Sequence, residues 1–263
     1  MKRKRIECVP APVPEGIRAL LDGAALYDSS SSDDARVFLI ERDGGLFLKR
    51  AAAGSLAREA RMTEYFSGLG LTGEVLFYAS EGGRDFLLTR RVPGEDCVHP
   101  DYLADPERLT DLLGERLRAL HGMNASGCPG RDRADACAEA VREGIRKGNF
   151  TPKHWQGLWD FSSPEEARKE AERGIAELRS DVLIHGDYCL PNVVLDRWRF
   201  SGFVDLGLSG TGDRHVDLAW GIWSLRYNLG TDRYTERFLD AYGRDAVEAD
   251  MLRLVAAMDT VSV

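Results

Sequence analysis

The 263-residue sequence lacks several features that define common protein classes. It has no uninterrupted apolar run of about 18 residues, so it predicts no membrane-spanning helix and no membrane partner. Its few cysteines are odd in number, widely spaced and never in a C-x-x-C pair: Cys8, Cys97, Cys128, Cys137 and Cys189. This set indicates neither a disulfide framework nor a zinc site, and a cytoplasmic location is expected.

An excess of positive charge is also missing. The sequence has 35 basic and 43 acidic side chains, a formal net charge of −8. Five of the eight excess negative charges fall in the last 83 residues. The balance argues against a nucleic-acid partner, which requires a clustered cationic face, and favours a cationic or neutral small molecule.

Two common enzyme motifs are absent. The sequence has no G-x-x-x-x-G-K-[ST] and no G-x-S-x-G, which excludes P-loop nucleoside triphosphatases and hydrolases with a nucleophile elbow on motif grounds. A G-x-G-x-x-G occurs at 68–73, but it ends the predicted helix 55–67 instead of following a strand and opening a helix, so it does not indicate a dinucleotide-dependent enzyme.

Hydrophobic periodicity predicts an α+β protein with two lobes. The first part has the order strand, strand, helix, strand, strand: 37–41, 46–50, 55–67, 74–79 and 85–90. The pattern breaks at 92–96, so we place an N-terminal lobe at 1–92 and a C-terminal lobe at 93–263. Beyond this point the predicted elements are mainly helices: 105–120, a helix starting at 163, 213–229, 231–242 and 245–261. Only 182–206 has β character there, so a small antiparallel sheet precedes a mostly helical lobe.

Three polar residues stand at the ends of apolar strands in the 182–206 segment. Asp187 and Asn192 share one short loop, and Asp205 follows thirteen residues after Asn192. The pattern H-x-D-x-x-x-x-N followed by D-x-G is the spacing that protein kinases use for phosphoryl transfer. Asp187 is then the candidate catalytic base, while Asn192 and Asp205 offer oxygen ligands suited to Mg²⁺. The alternative is that all three are ordinary turn residues.

Kinase chemistry also needs a cation near the phosphates. Lys49 lies on the second predicted strand, and Glu59 on the following helix is the carboxylate expected to orient it. The alternative for Lys49 is a solvated lysine at the edge of the sheet. A serine-rich stretch, 28–34, includes Ser31 and Ser32 and is either a phosphate cradle or a mobile loop.

Two residues near the candidate site have open or structural interpretations. His185 is a possible general base, but the adjacent carboxylate has the phosphoryl-transfer spacing, so we interpret His185 as structural. Asp217 either braces the catalytic loop or belongs only to the first turns of its helix.

The sequence resembles the aminoglycoside phosphotransferases, and among them the 3′-hydroxyl (kanamycin kinase) group. The resemblance lies in five main blocks: 46–49, 83–88, 92–94, 185–192 and 201–207. It implies a protein-kinase-like fold that uses ATP and Mg²⁺, with Asp187 as base and Asn192 and Asp205 as metal ligands. It also implies that the segment from Arg90 to Val92 forms the backbone edge for adenine, and that Lys49 pairs with Glu59.

On the acceptor side the sequence departs from that family. Leu208 stands where the family usually has arginine after D-x-G. Three further positions where the family has acids that hold the amino groups of the drug are occupied here by Gln156, Tyr227 and Asn228. The resemblance places the acceptor-binding side chains at four positions: Gln156, Asn228, Asp259 and Val263.

The sequence therefore predicts an ATP-dependent O-phosphotransferase that modifies a hydroxyl of a cationic aminoglycoside and confers antibiotic resistance. Two alternatives stay open at this point. One is a kinase of another small hydroxylated metabolite, and the other is a nucleotide-binding protein without transfer activity.

Overall fold

The computed structural model describes residues 4–9, 12–30, 34–131 and 133–262. Ser31, Ser32 and Val263, which the sequence assigns to the nucleotide and acceptor sites, lie outside these ranges. By its internal contacts the chain divides into two compact units. One comprises Met1–Asp96 and Val194–Gly207, and the other Cys97–Val193 and Leu208–Val263.

Each unit has its own set of elements. The first contains β1 (Lys4–Ile6), α1 (Glu15–Leu21), β2 (Ala25–Asp28), β3 (Ala35–Glu41), β4 (Leu46–Ala52), α2 (Ala57–Gly68), β5 (Val75–Glu81), β6 (Arg84–Arg90) and β7 (Glu95–Asp96). The second contains α3 (Pro100–Leu103), α4 (Pro106–His121), α5 (Arg133–Lys147), α6 (Pro164–Glu177) and β8 (Val182–Ile184). Then follow β9 (Val193–Asp196) and β10 (Arg199–Phe203), mostly in the first unit, and β11 (Gly210–Gly212), α7 (Arg214–Leu229), α8 (Thr235–Tyr242) and α9 (Ala249–Ser262) in the second.

The six-stranded sheet of the first unit is antiparallel, with the order β1-β2-β3-β4-β6-β5. The α+β fold class and the order strand, strand, helix, strand, strand for β3, β4, α2, β5 and β6 are confirmed. In β3 and β4, Phe38 pairs with Leu48 and Ile40 with Leu46. These four side chains are buried in one hydrophobic cluster. Because successive side chains of a strand point to opposite faces of the sheet, Lys49 lies on the face opposite the one that buries Leu48.

A three-stranded sheet, β10-β9-β7, explains why 194–207 belongs to the first unit. Glu95 of β7 pairs with Leu195 of β9. The turn that joins β9 to β10 has positive φ at both Arg197 and Trp198, 49° and 66°, which suits a tight hairpin. Because the pairing joins segments far apart in sequence, the strand pattern alone did not place 194–207 with the N-terminal residues. As a division into domains, the boundary after residue 92 stays a prediction.

Helices of the second unit begin where the capping residues indicate. The Asp105 side chain accepts a hydrogen bond from the Arg108 amide at 3.3 Å, and Ser163 Oγ accepts one from the Glu166 amide at 3.2 Å. Proline follows each cap at the first helical position. Helix α5 was not predicted from the sequence. None of the five cysteines, all of which lie within the described ranges, forms a disulfide. In the same ranges no helix is both long and apolar enough to span a membrane.

Candidate active site

Lys49 on β4 contacts two carboxylates of the first unit. Its Nζ donates to Oε1 and Oε2 of Glu59 at 2.9 and 2.8 Å, and to Oδ1 of Asp205 at 3.0 Å. The Lys49 and Glu59 side chains are 21% and 12% exposed, whereas that of Asp205 is 47% exposed. The structure thus brings together the predicted pair and adds Asp205, a predicted metal ligand, as a partner that the sequence did not indicate.

The position of Glu59 depends on a buried carboxylate that the sequence analysis missed. Asp85 on β6 is fully buried, and its Oδ2 accepts hydrogen bonds from the Leu56 amide at 2.9 Å and from Tyr78 Oη at 3.1 Å. Leu56 immediately precedes α2 and has no side-chain cap of its own. Asp85 therefore caps the helix from the neighbouring strand and fixes the turn that carries Glu59.

The electrostatics of this cluster keep Lys49 charged. Burial lowers the pKa of Lys49, but the charges of Asp205 and Glu59 and their hydrogen bonds raise it more, so that its pKa lies above the usual value. Burial also raises the pKa of Glu59, and Lys49 opposes this effect. A protonated amine next to a half-exposed carboxylate is an arrangement that can neutralise phosphate oxygens.

Asp205 has an unusual backbone conformation. Its φ of 57° lies in the left-handed region, which is uncommon for a residue other than glycine. The preceding strand end is held by two hydrogen bonds, from the Phe203 amide to the Leu71 carbonyl and from Thr72 Oγ1 to the Phe203 carbonyl, both 2.7 Å. Such a conformation persists where neighbouring structure enforces it, which often happens at functional sites.

In the second unit, Asp187 and Asn192 face each other across their short loop. The Asn192 Nδ2 atom donates to the Asp187 carbonyl at 2.9 Å and to Asp187 Oδ2 at 2.8 Å. Asn192 is buried and Asp187 is partly exposed. These bonds orient the Asp187 carboxylate and leave the amide oxygen of Asn192 as the atom that can ligate a cation.

The loop before Asp187 is held by Asp217 of α7. This fully buried carboxylate accepts the His185 amide at Oδ2 and the Gly186 amide at Oδ1, both at 2.7 Å. Of the two interpretations left open for Asp217, the structure shows the brace. Gly186 has φ of 84°, and a Cβ there would overlap the Leu208 carbonyl. His185 is buried, and its Nδ1 atom accepts a hydrogen bond from the Asp187 amide at 3.3 Å. This contact agrees with the interpretation of His185 as a structural residue.

Two further anchors of this loop escaped the sequence analysis. Tyr188 Oη donates to the Leu113 carbonyl on α4 at 2.9 Å, and the Leu190 amide donates to Ser224 Oγ on α7, also at 2.9 Å. Ser224 is fully buried. A serine within an apolar stretch of helix, such as Ser224, is a sequence signal that can indicate a buried hydrogen bond of this kind. The bond from Tyr188 to a backbone carbonyl has no corresponding signal, because every residue has a carbonyl group.

Three of the predicted acceptor-binding residues lie in the part of the second unit that the structure describes, and each forms hydrogen bonds to other residues of that unit. The Gln156 carbonyl accepts from Arg226 at 2.6 Å, and Asn228 Nδ2 donates to the Ser224 carbonyl at 2.7 Å. Asp259 accepts from Trp155 Nε1 at 2.9 Å and from His154 Nδ1 at 3.3 Å. Burial raises the pKa of Asp259, and these two donors oppose the increase. Their predicted acceptor role stays a prediction.

In the segment predicted to bind adenine, two backbone amides form hydrogen bonds to other residues of the first unit. The Arg90 amide donates to the Glu74 carbonyl at 2.8 Å, and the Arg91 amide to the Gly45 carbonyl at 3.0 Å. Val92 is buried. The adenine contact of Arg90 and Val92 stays a prediction.

Each unit, taken by itself, offers an oxygen donor of the kind that Mg²⁺ prefers and a softer metal does not. Asp205 offers a half-exposed carboxylate, and Asn192 offers an amide oxygen. Over the described residues, no three histidine, cysteine or acidic side chains form a cage that could hold a metal. Mg²⁺ commonly takes few protein ligands and completes its shell with water and phosphate oxygens, so the small number of protein donors in each unit is compatible with it.

Comparison with known proteins gives a consistent result. Residues 27–254 match the Phosphotransferase enzyme family. The chain is 42% identical over 246 residues to a probable aminoglycoside 3′-phosphotransferase of Lactococcus lactis subsp. lactis (strain IL1403), covering 94% of each protein. It is 35% identical to a streptomycin 3″-kinase of Streptomyces griseus, covering 73% of this chain and 72% of that protein. A crystal structure of an aminoglycoside-3′-phosphotransferase of type VIII is similar, with a TM-score of 0.74, 25% identity and coverage of 94% and 96%.

Proposed function

The chain belongs to the Phosphotransferase enzyme family, and from this premise we propose that it phosphorylates a hydroxyl of an aminoglycoside with ATP, conferring resistance. The observation that carries the proposal is the Asp187–Asn192 contact of 2.8 Å in a loop that Asp217 fastens by two amide bonds. The names of the Lactococcus and Streptomyces relatives support an aminoglycoside as the acceptor.

Each residue has a defined task in this reaction. Asp187 accepts the proton of the attacking hydroxyl, and the Asn192 amide keeps the receiving oxygen in place. Lys49, oriented by Glu59, neutralises charge on the phosphates. When bound, Mg²⁺ supplies charge neutralisation at the phosphate oxygens, and we propose Asn192 and Asp205 as the protein ligands that hold it. A cytoplasmic location also stays a prediction.

The proposal is tested by a coupled ADP assay with a panel of aminoglycosides and mass detection of the product. We expect a mass increase of one phosphate on at least one member. Asp187→Asn keeps the size of the side chain and removes its basicity, so turnover is expected to fall by roughly 10²- to 10⁴-fold. Binding of ATP, measured by titration, is expected to persist.

Asp196→Asn is the matched control, because Asp196 is a half-exposed aspartate whose observed partner is its neighbour Arg197. Near-normal turnover of Asp187→Asn would contradict the assignment of the base. Bound ATP without any transferred phosphate in the wild-type chain would favour a nucleotide-binding protein instead.

A second candidate keeps the chemistry and changes the acceptor to another small alcohol. It is favoured by the neutral residues on the predicted acceptor side, among them Tyr227, which is 71% exposed, and Leu208, which is 48% exposed. Neither offers a carboxylate to an ammonium group. Phosphorylation of a neutral alcohol, with no reaction of any aminoglycoside in the panel, would select this candidate.

A further inference from the structure

Asp217 has a third partner, which the proposed chemistry does not use. The Nε2 atom of His121 on α4 lies 3.2 Å from Oδ2 of Asp217. The other ring nitrogen, Nδ1, lies 2.8 Å from Oη of Tyr242 at the end of α8. The side chains of His121 and Asp217 are 1% and 0% exposed, and Tyr242 is fully buried as well.

The direction of the hydrogen bond between His121 and Asp217 follows from the backbone. Both oxygens of Asp217 accept amide hydrogens, from His185 and Gly186, and an amide can only donate. The carboxylate therefore acts as an acceptor, and His121 Nε2 carries the hydrogen that it donates to Asp217. The other ring nitrogen, Nδ1, forms a hydrogen bond with the Tyr242 hydroxyl, which holds the ring in place.

Close helix packing places Tyr242 against His121. A Cβ on Gly114 of α4 would lie 2.7 Å from Ala241 Cβ and 2.9 Å from the Tyr242 amide nitrogen of α8. Only a residue without a side chain permits this approach. His121 lies two helical turns beyond Gly114, and its ring meets Tyr242 edge to face at a centroid distance of 5.5 Å.

The same helix holds the other side of the catalytic loop. Leu113, next to Gly114, accepts the hydroxyl of Tyr188, the residue after Asp187. Through Asp217, His121 acts on the two amides that precede Asp187. Helix α4 thus holds the loop on both sides of the candidate base. On one side it accepts a direct hydrogen bond from Tyr188, and on the other side it acts through the buried side chains of His121 and Asp217.

We propose that His121 is a positioning residue for phosphoryl transfer, oriented by Tyr242 and acting through Asp217 on the loop that carries Asp187. The inference rests on the proposed function, in which Asp187 is the base. This hydrogen-bonded relay of Tyr242, His121 and Asp217 determines the position of the Asp187 carboxylate and takes no part in proton transfer. A small displacement of a catalytic group is enough to reduce a rate by about 10²-fold.

Three substitutions test the relay by steady-state kinetics. His121→Leu removes both bonds, and we expect kcat to fall by about 10- to 100-fold while KM for ATP stays within about twofold. His121→Gln retains a donor for Asp217 and is expected to restore part of kcat. Tyr242→Phe removes only the hydroxyl, and its smaller effect is expected to vanish in the His121→Leu background, because coupled residues are not additive.

Leu117→Ala is the matched control for packing. Leu117 is fully buried on the same helix, so the change creates a cavity there without deleting a hydrogen bond of the relay. We expect lower thermal stability with an unchanged kcat at temperatures where the variant is folded. A kcat loss in Leu117→Ala equal to that in His121→Leu would overturn the proposal, as would full additivity of the two relay substitutions.

Amide hydrogen exchange gives a readout that does not depend on activity. The amides of His185 and Gly186 are expected to exchange faster in His121→Leu than in Leu117→Ala, as measured by NMR. Unchanged exchange in His121→Leu would overturn the relay. If the wild-type chain phosphorylates no acceptor, the proposed function fails, whereas the exchange measurement still tests whether His121 holds the loop.

Discussion

The ammonium group of Lys49 lies 3.0 Å from the carboxylate of Asp205, although 156 positions separate the two residues in the sequence. The same Nζ atom binds both oxygens of Glu59. One partly buried cation therefore balances two carboxylates, and of the two acids Asp205 is the more exposed. A cation bound by Asp205 would compete with Lys49 for that carboxylate, and Glu59 would then hold Lys49 in place.

Glu59→Gln is expected to weaken the use of ATP. The substitution removes the charge that orients Lys49 and leaves the lysine with its bond to Asp205. We expect kcat/KM for ATP to fall by at least about tenfold, which corresponds to about 1.4 kcal/mol of lost transition-state stabilisation. Glu64→Gln makes the same change on an exposed position of α2 and is expected to be silent. A wild-type kcat/KM in Glu59→Gln would contradict an orienting role for Glu59.

Much of the fold could be predicted because its signals are local. The alternation in β3 and β4, the turn residues between them and the caps at Asp105 and Ser163 involve only neighbouring residues in the chain. Helix α5 was missed because its buried positions are occupied largely by small residues, Ala138, Val141 and Gly144. Small side chains make the apolar face of a helix hard to distinguish by periodicity.

In the candidate site, too, the contacts between residues close in sequence could be anticipated, whereas the contacts between distant residues could not. The H-x-D-x-x-x-x-N spacing places Asp187 and Asn192 on one short loop, and the structure shows a hydrogen bond of 2.8 Å between their side chains. The bond between Lys49 and Asp205 and the one between His121 and Asp217 join residues far apart in sequence. Spacing alone carries no information about such pairs, because they depend on how strands and helices pack.

Gly144→Ala and Gly68→Ala are expected to change stability in opposite directions. At Gly144 of α5, a Cβ would overlap the Val261 carbonyl of α9, so we expect a loss of about 1–3 kcal/mol in the free energy of unfolding. At Gly68, the last residue of α2, a Cβ meets no atom within 4 Å. Alanine there is expected to stabilise by about 0.4–1 kcal/mol. Thermal unfolding of both variants checks this, and equal Tm values would contradict the close packing of α5 on α9.

Asp213 makes stability depend on pH in the acid range. It caps α7, accepting the His215 amide at 2.9 Å, His215 Nδ1 at 2.6 Å and the Arg179 amide at 3.1 Å. Burial raises the pKa of Asp213, but these hydrogen bonds and the His215 ring lower it more, to a net value below the usual 3.8. A depressed pKa contributes stability above pH 3.8, and that contribution is lost as the pH falls through the folded-state pKa.

Asp213→Asn is therefore expected to cost about 1–3 kcal/mol at pH 7, because its amide cannot replace every carboxylate contact. The cost should shrink as the pH falls below 3.8, where the wild-type carboxylate also becomes protonated. Urea unfolding at a series of pH values measures both effects. Asp232→Asn, at an exposed position, serves as the control. A cost that is the same at all pH values would show that charge at Asp213 does not contribute.

Cys189 is expected to be chemically inert although it lies in the loop that carries Asp187, the proposed base. Burial raises the pKa of its thiol, and the charge and hydrogen bonding of Asp187 raise it further. Because the thiolate is the reactive form, iodoacetamide at pH 8 should modify exposed Cys8 at least about a hundredfold faster than Cys189 in the folded protein. Peptide mass spectrometry after timed labelling measures the rates, and denatured protein, in which both cysteines react alike, is the control. Equal labelling in the folded protein would contradict the buried position of Cys189 beside the base, and would make a covalent role for this thiol worth testing.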